Sequence, residues 1–288
     1  MTPKIDAIIK EVNKSNFATI RGIITGIFEI LNNAKSSVND LERIIRLDPP
    51  LAAKVLKVAN SAFYASRVEF KDLKEAVLWI GFDEIKNIAL TEQLYKVFHT
   101  DAEGSFSRKD LWKNSISTAL LAKMVYRREF GEKGENIYTA GLLHNIGIII
   151  MDQFAHEEFE KILSFGIAND LDHCASESQI LDYKHTDIVE ALGKDWKFPD
   201  ELIYSVKYHH TPEQAPAEYR KQAETLFIAD HFCKKWKLGY SDSCNVDEDE
   251  ILKVIKNNDI ETESLDLMHS DLVEQIAHLE DIGLLSND

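Results

Sequence analysis

The sequence is poor in the residues that break helices or staple small folds. Among 288 residues there are only 6 Pro, 12 Gly and 3 Cys. Turn dipeptides flanking alternating apolar residues are nearly absent, which argues against an all-β architecture. Cys174, Cys233 and Cys244 are isolated and lack CxxC spacing. That excludes a disulfide scaffold or a zinc ribbon and suits a reducing, cytoplasmic setting. No run of about 18 apolar residues is present, so no membrane span is expected. The opening "MTPKIDAIIKEVNKSNF" has no continuous apolar segment of the secretory kind. Positive charge is also scarce. The formal net charge is −16, with no dense Lys/Arg run, and this argues against broad contact with a nucleic-acid backbone.

What is present is helical periodicity over an apolar content of 44%, enough for a sizeable core. The expected fold class is all-α. Ile20, Ile23, Ile24, Ile27, Phe28 and Leu31 recur three and four residues apart. Ser37 suits the cap of a short helix carrying Leu41, Ile44 and Ile45. Asp48 followed by Pro49 reads as a second start, and Gly81 as a stop. "FDEIKNIALTEQLYKVF" reads as another amphipathic helix. A polar break from His99 to Ser107 separates two halves, and Ser107 with Asp110 opens a long helix ending near Gly131. "GENIYTAGLLHNIGIIIMDQF" is expected to be one buried helix, with His144 in its middle. Further helices follow around "EEFEKILSFG", "ASESQILDYKHTDIVEALGKDW", "PDELIYSVKYHH" and "YRKQAETLFIADHFCKKW", with two more in the tail. The acidic "DSCNVDEDE" lacks the central glycine of a calcium loop and reads as a solvated cap.

Chemistry concentrates in histidines. His144 sits in an apolar run beside Asn145; His185 follows a stretch containing Glu177; His209 and His210 are adjacent; Asp230 lies in the apolar "FIADHF". Buried imidazoles and carboxylates need partners, and several helices could bring these together around a metal or around one another. Adjacent helical residues point about 100° apart, so one of His209 and His210 is expected at the surface or behind the site. The plain alternative for His144 and Asn145 is a hydrogen-bonded buried pair. Glu177 reads as a solvated helix residue or a histidine partner. Asn60 and Ser61 read as finishing a helix by satisfying its last carbonyls. Trp79, Trp112 and Trp196 are expected in the core, and Arg127 and Arg128 at a helix C-terminus favoured by its dipole.

An ordered set of segments carries a family resemblance. "LLHNIG" resembles the His-Asp signature "LLHDIG" of the HD superfamily of metal-dependent phosphohydrolases. More narrowly, "LDPPLAAKVLKVANSAFYA", "LKEAVLWIGFDEIKNIAL", "LWKNSISTALLAKM", "AGLLHNIGIIIMDQF" and "FIADHF" resemble the HDOD domain, a relative of HD and HD-GYP domains found in bacterial signalling proteins. The resemblance runs from about Phe17 to Trp236. It implies an HD-like multi-helical bundle over 15–236, with an N-terminal helical half to about 105, an HD-like half from about 106, and a helical extension over 237–288. It also implies that Asn114 stands where catalytic relatives have their first metal histidine. His144 and Asn145 stand at the His-Asp pair, His185, His209 and His210 at downstream ligand positions, and Asp230 at the closing aspartate. The glycine-tyrosine-proline motif of HD-GYP enzymes is replaced by "HHTPEQAP".

The two departures fall at the centre. Asn145 offers a neutral carbonyl where a carboxylate could bridge ions, and Asn114 removes an imidazole. No cofactor is expected; a single divalent metal, if held, would use His144, His185, His209 and Asp230. The expected function is a regulatory signalling module that binds a protein partner or small ligand through a degenerate pocket. The alternative is a metal-dependent phosphohydrolase or cyclic-dinucleotide phosphodiesterase using the surviving histidines.

Overall fold

The computed structural model describes residues 2–15, 17–31, 37–61, 64–98, 106–241 and 248–285. Its described elements are helices, with no strand among them. The polar break at 99–105, the acidic stretch from 242 to 247 with Cys244, and the side chains of Phe28 and Leu31 lie outside the described parts.

Helix starts follow local chemistry. Thr2 caps α1 (Pro3–Val12), while α2 (Phe17–Leu31) follows with its Ile24 and Ile27 fully buried. Ser37 and Asp40 form a reciprocal capping box on α3 (Val38–Arg46). The Asp48 carboxylate accepts from the Leu51 amide to open α4 (Pro49–Ala59), with Pro49 in the first turn. Asp72 caps α5 (Leu73–Ile80), which stops at Gly81 with φ 96°. The chain then enters α6 (Phe82–Phe98). This helix is buried on nearly every side, polar Asn87, Thr91 and Gln93 included. The expected amphipathic face is therefore absent: α6 is a central strut between layers, and several of its polar groups are met by neighbours. Thr91 Oγ1 lies 3.0 Å from the Tyr138 hydroxyl, and Gln93 donates to Asp48 at 2.8 Å.

The second central element is α7 (Arg108–Arg128), capped by Ser107 as expected. It packs against α8 (Glu135–Leu143) and α14 (Arg220–Lys235). Gly141 makes the first approach so close that a Cβ would sit 2.4 Å from Ala119 Cα. The remaining second-half helices are α9 (Ile146–Phe154), α10 (His156–Asn169), α11 (His173–Ile180), α12 (His185–Asp195) and α13 (Asp200–Lys207). Although first in sequence, α1 packs on α9 and α12. The last helices, α15 (Glu248–Asn257) and α16 (Thr262–Asp281), pack on α14 and α7 respectively. Leu265, Met268 and Leu272 of α16 are fully buried. Trp112 in the core donates to the Leu284 carbonyl at 3.1 Å, and Lys54 of α4 donates to the Gly283 carbonyl at 2.6 Å.

Four local expectations are corrected. The helix expected across His144 is two helices, with Asn145 at φ −99°, ψ 1° between α8 and α9. "ASESQILDYKHTDIVEALGKDW" likewise divides into α11 and α12. Trp112 and Trp196 are core residues, but Trp79 is 51% exposed and packs on Phe70 at 5.7 Å. Asn60 also does something different from the expected carbonyl capping. Its amide clamps the Phe70 backbone from both sides, accepting at 2.7 Å and donating at 2.9 Å.

Candidate functional site

The break between α8 and α9 places His144 at the end of one helix and Asn145 at the start of the next, both buried. Leu142 and Leu143 before them, and Ile146 after them, anchor this corner in the core. Gly147 then allows α9 to touch the first residue of α12: a Cβ there would lie 2.2 Å from the His185 carbonyl oxygen. The turn is thus tied directly to the helix that begins with His185.

His185 is held by Glu177 of α11. One carboxylate oxygen accepts from the His185 backbone N–H at 2.9 Å, and the other lies 2.8 Å from Nδ1. His173, one turn before Glu177, brings its Nε2 to 3.2 Å from the same carboxylate. Burial alone would raise the Glu177 pKa, but the two imidazoles outweigh it and bring the pKa down to about 2. Glu177 is fully buried and is a histidine partner, which removes the solvated alternative.

The α13 helix ends at Lys207, and Tyr208–His210 form a turn. This turn overrides the 100° separation expected of helical neighbours. His209 is fully buried, His210 half-buried, and their rings lie 5.6 and 5.2 Å from that of His185. The His144 and His209 rings are 5.1 Å apart, edge to face.

Three of these imidazoles share one arrangement. Nδ1 of His144 lies 2.6 Å from the Gly141 carbonyl, Nδ1 of His209 lies 2.7 Å from the Val206 carbonyl, and Nδ1 of His185 faces Glu177. A carbonyl can only accept, so Nδ1 carries the proton in His144 and His209. Nε2 of each of the three is buried without a hydrogen-bond partner. Burial, reinforced by neighbouring imidazoles, pushes the pKa of His209 and His210 well below the ordinary value, so both are neutral near pH 7. A neutral ring with its second nitrogen pinned is the form a metal ligand takes. Among the described residues, ligand atoms converge to within 4.8 Å in two groups that share His185: His185, His209 and His210, and His173, Glu177 and His185. This differs from the expected set: His144 and Asp230 turn towards each other, with Nε2 and Oδ1 3.5 Å apart.

The other half of the cluster is organised around Asp230 of α14. Lys234, one turn on, places Nζ 3.2 Å from its Oδ2. Asn114 donates to its Oδ1 at 3.4 Å, and Asn145 in turn donates to the Asn114 carbonyl oxygen at 2.8 Å. Burial would raise the Asp230 pKa, but the Lys234 ammonium and the His144 imidazole hold it well below the carboxylate range. Asp230 is therefore an anion with a built-in cation beside it. The cavity beside this cluster, lined in part by Asn145, His185, His210 and Lys234, has about 10 Å³ of internal space.

Sequence reasoning assembled His144, Asn145, Asn114, His185, His209, His210 and Asp230 from separate elements, and they do meet. It missed Lys234 and His173. Both were readable as four-residue spacings on a helix, Asp230 to Lys234 and His173 to Glu177. Burial raises the Cys174 pKa to about 12 and also raises that of Cys233, so both are inert thiols near neutral pH.

The HDOD domain model matches residues 17–212. A protein of Treponema pallidum (strain Nichols), itself uncharacterised, is 26% identical over 202 residues, covering 69% of this chain and 38% of that one. This chain therefore spans well under half the length of that relative. Among solved structures, an HDOD domain protein of unknown function from Geobacter sulfurreducens superposes with a TM-score of 0.78 at 23% identity, over 90% of this chain and 91% of that one. A Shewanella amazonensis SB2B protein provisionally called a phosphohydrolase gives 0.71 at 22% identity, over 99% and 97%. A Marinobacter aquaeolei VT8 protein provisionally called a signal transduction protein gives 0.70 at 22% identity, over 92% and 59%. At these identities the likeness is one of fold.

Proposed function

This chain belongs to the HDOD domain family, and on that premise we propose that it is a regulatory module of bacterial signal transduction, one that binds a protein partner or small ligand and does not hydrolyse phosphodiesters. The observation that carries this reading is the state of Asp230. Its two carboxylate oxygens are claimed by Lys234 and Asn114, and Asn145 is spent on Asn114. A hydrolytic centre needs that carboxylate, and the charge it supplies, to hold and acidify a metal-bound water. Here a lysine supplies the positive charge instead, without Lewis acidity.

Space points the same way. About 10 Å³ accommodates roughly one water, while small-molecule sites run to about 300 Å³ and more. A phosphodiester does not fit that cavity as it stands, and the cavity of about 340 Å³ that His173 lines includes none of His144, Asn145, His185, His209, His210 and Asp230. The partner-binding part of the reading is supported by Val68, Leu78 and Trp79, large apolar side chains that are each at least 51% exposed on α5 and the segment before it. Exposed apolar groups of this size, when grouped, are characteristic of protein contact surfaces.

The alternative, a metal-dependent phosphohydrolase or cyclic-dinucleotide phosphodiesterase, is favoured by the three unpartnered Nε2 atoms. The donor set fits one ion, held by His185, His209 and His210, which would supply Lewis acidity if bound. Asn114 and Asn145 contribute only amides and Asp230 is already paired, so these three add no anionic ligand for a second ion; the other converging group, His173, Glu177 and His185, has its carboxylate engaged by both imidazoles. The separating experiment is elemental analysis of the purified protein together with a phosphodiester assay in added Mn²⁺. The regulatory reading expects no turnover at any metal content. Turnover that His144→Ala abolishes contradicts it.

A further inference from the structure

A second polar cavity lies away from the histidine cluster and shares none of its residues. It measures about 460 Å³ and is lined by the start of α6, the start of α8, the end of α7 and the start of α13, through residues including Asp83, Lys86, Tyr126, Glu135, Ile137 and Leu202. Lys86 is 3% exposed, yet among the described residues its ammonium has no hydrogen-bond or ion-pair partner. The Tyr126 hydroxyl, on a side chain 5% exposed, likewise has no hydrogen-bond partner. An unpaired buried ammonium costs several kcal/mol unless something neutralises it. Burial lowers the Lys86 pKa, although Glu135 and Asp83 pull it back up.

The acids around the cavity are already engaged. Asp83 holds Lys133 at 3.2 Å, and Glu132 holds Lys221 at 2.7 Å. Glu135 holds Asn87 at 2.5 Å and Lys123 at 3.2 Å, while Glu201 accepts from Asn136 and Gln222. What remains unclaimed in the lining is a cation and a hydroxyl. The first turn of α8, which contributes Gly134 to Ile137 to the same wall, starts without a side-chain cap. Its free amides add a partial positive charge. Gly134 has φ 75°, and a Cβ would lie 3.0 Å from Tyr126 Cβ, so the close wall at that point requires glycine.

We propose that this cavity binds a small monocarboxylate with a compact apolar body, its oxygens accepting from the Lys86 ammonium and the Tyr126 hydroxyl. The four surrounding carboxylates disfavour a dianion such as phosphate more than a monoanion, because its second negative charge has no unpaired cation to meet. Ile137, Leu202 and Pro199 supply the apolar side of the cavity. The site goes beyond the reading of the histidine cluster and stands or falls separately from it. It does sit at one end of α8, a helix about 14 Å long whose other end carries His144.

The test uses the full chain at constant ionic strength, with acetate, hexanoate and inorganic phosphate as probes, read by thermal unfolding and calorimetric titration. Hexanoate is expected to raise the unfolding temperature in a saturable way, acetate to do so more weakly, and phosphate to have no effect. Lys86→Met keeps the stem and removes the charge. It is expected to abolish the hexanoate response and, without ligand, to unfold at a higher temperature than wild type. Should that variant fail to fold, Tyr126→Phe decides, with hexanoate affinity expected to fall about tenfold. The proposal is overturned by absence of a carboxylate response in the wild type, by an equal response in Lys86→Met or Tyr126→Phe, or by tighter binding of phosphate than of hexanoate.

Discussion

At the scale of single residues, the cluster is governed by who satisfies whom. Glu177 is the clearest case, fully buried with its carboxylate shared between His173 and His185. Its folded pKa of about 2 lies below the ordinary 4.5. A depressed acid contributes stability that is fully present above the unfolded value and lost as pH falls through the folded one. The wild type should therefore lose stability between about pH 4.5 and 2 more steeply than Glu177→Gln, as read by urea unfolding across that range. Parallel pH profiles for the two proteins would contradict this. At neutral pH the same variant should be destabilised by about 3–5 kcal/mol, because it leaves buried imidazoles without their anion. Asn114 and Asn145 yield a second prediction. If the pair replaces a metal position, Asn114→His with Asn145→Asp should raise Mn²⁺ or Zn²⁺ affinity by at least about 10–100-fold, the range set by losing a mere outer partner. Unchanged metal binding in calorimetry would mean that the pocket has been rebuilt around the Lys234–Asp230 pair. The residue types of the cluster could be read from the sequence, but their pairing could not. Nothing in the order of residues says that His144 Nδ1 prefers the Gly141 carbonyl or that Asn145 donates to Asn114.

At the scale of elements, helix starts were open to sequence reasoning and helix interiors less so. Ser37, Asp48, Asp72 and Ser107 each cap where their chemistry says they should, because a cap depends on neighbours three residues away. The break at Asn145 was hidden, since the apolar run continues on both sides and a lone glycine such as Gly147 inside a helical pattern is often tolerated. It depends on contact with a distant element, where Gly147 meets the His185 carbonyl. Gly147→Ala should accordingly cost about 1–3 kcal/mol, the usual toll of overpacking, and should shift the His185 environment visible in imidazole NMR signals. A variant as stable as wild type with an unaltered His185 signal would show that α9 and α12 have slack that their present contact denies. The tryptophans make the complementary point. Helical periodicity put Trp79 and Trp112 alike on apolar faces, but only Trp112 found a covering layer. Trp112→Ala should cost about 3–5 kcal/mol, whereas Trp79→Ala should change stability by about 0.5 kcal/mol or less, both checked by chemical denaturation. A large loss at Trp79 would remove it from the exposed surface offered to a partner.

At the scale of the whole molecule, the all-α class followed from periodicity and the scarcity of breakers, and the family from an ordered set of segments matched over residues 17–212. The tail was harder to place. Its helices were readable, but their burial against α7 and α14 was not, since the apolar stripe of a helix does not name the surface it will meet. Among the described residues no helix is long and apolar enough to cross a membrane, and the net charge of −16 disfavours polyanionic partners. Together these features describe a helical body in which buried imidazoles meet a carboxylate already paired with the Lys234 ammonium, and we propose that it does not hydrolyse phosphodiesters. The most direct measurement of that claim is turnover of a generic phosphodiester by the wild-type protein in Mn²⁺, alongside metal stoichiometry by elemental analysis. The account predicts no hydrolysis above background, whether or not an ion is bound at His185, His209 and His210. Stoichiometric metal with turnover that His144→Ala abolishes would contradict it.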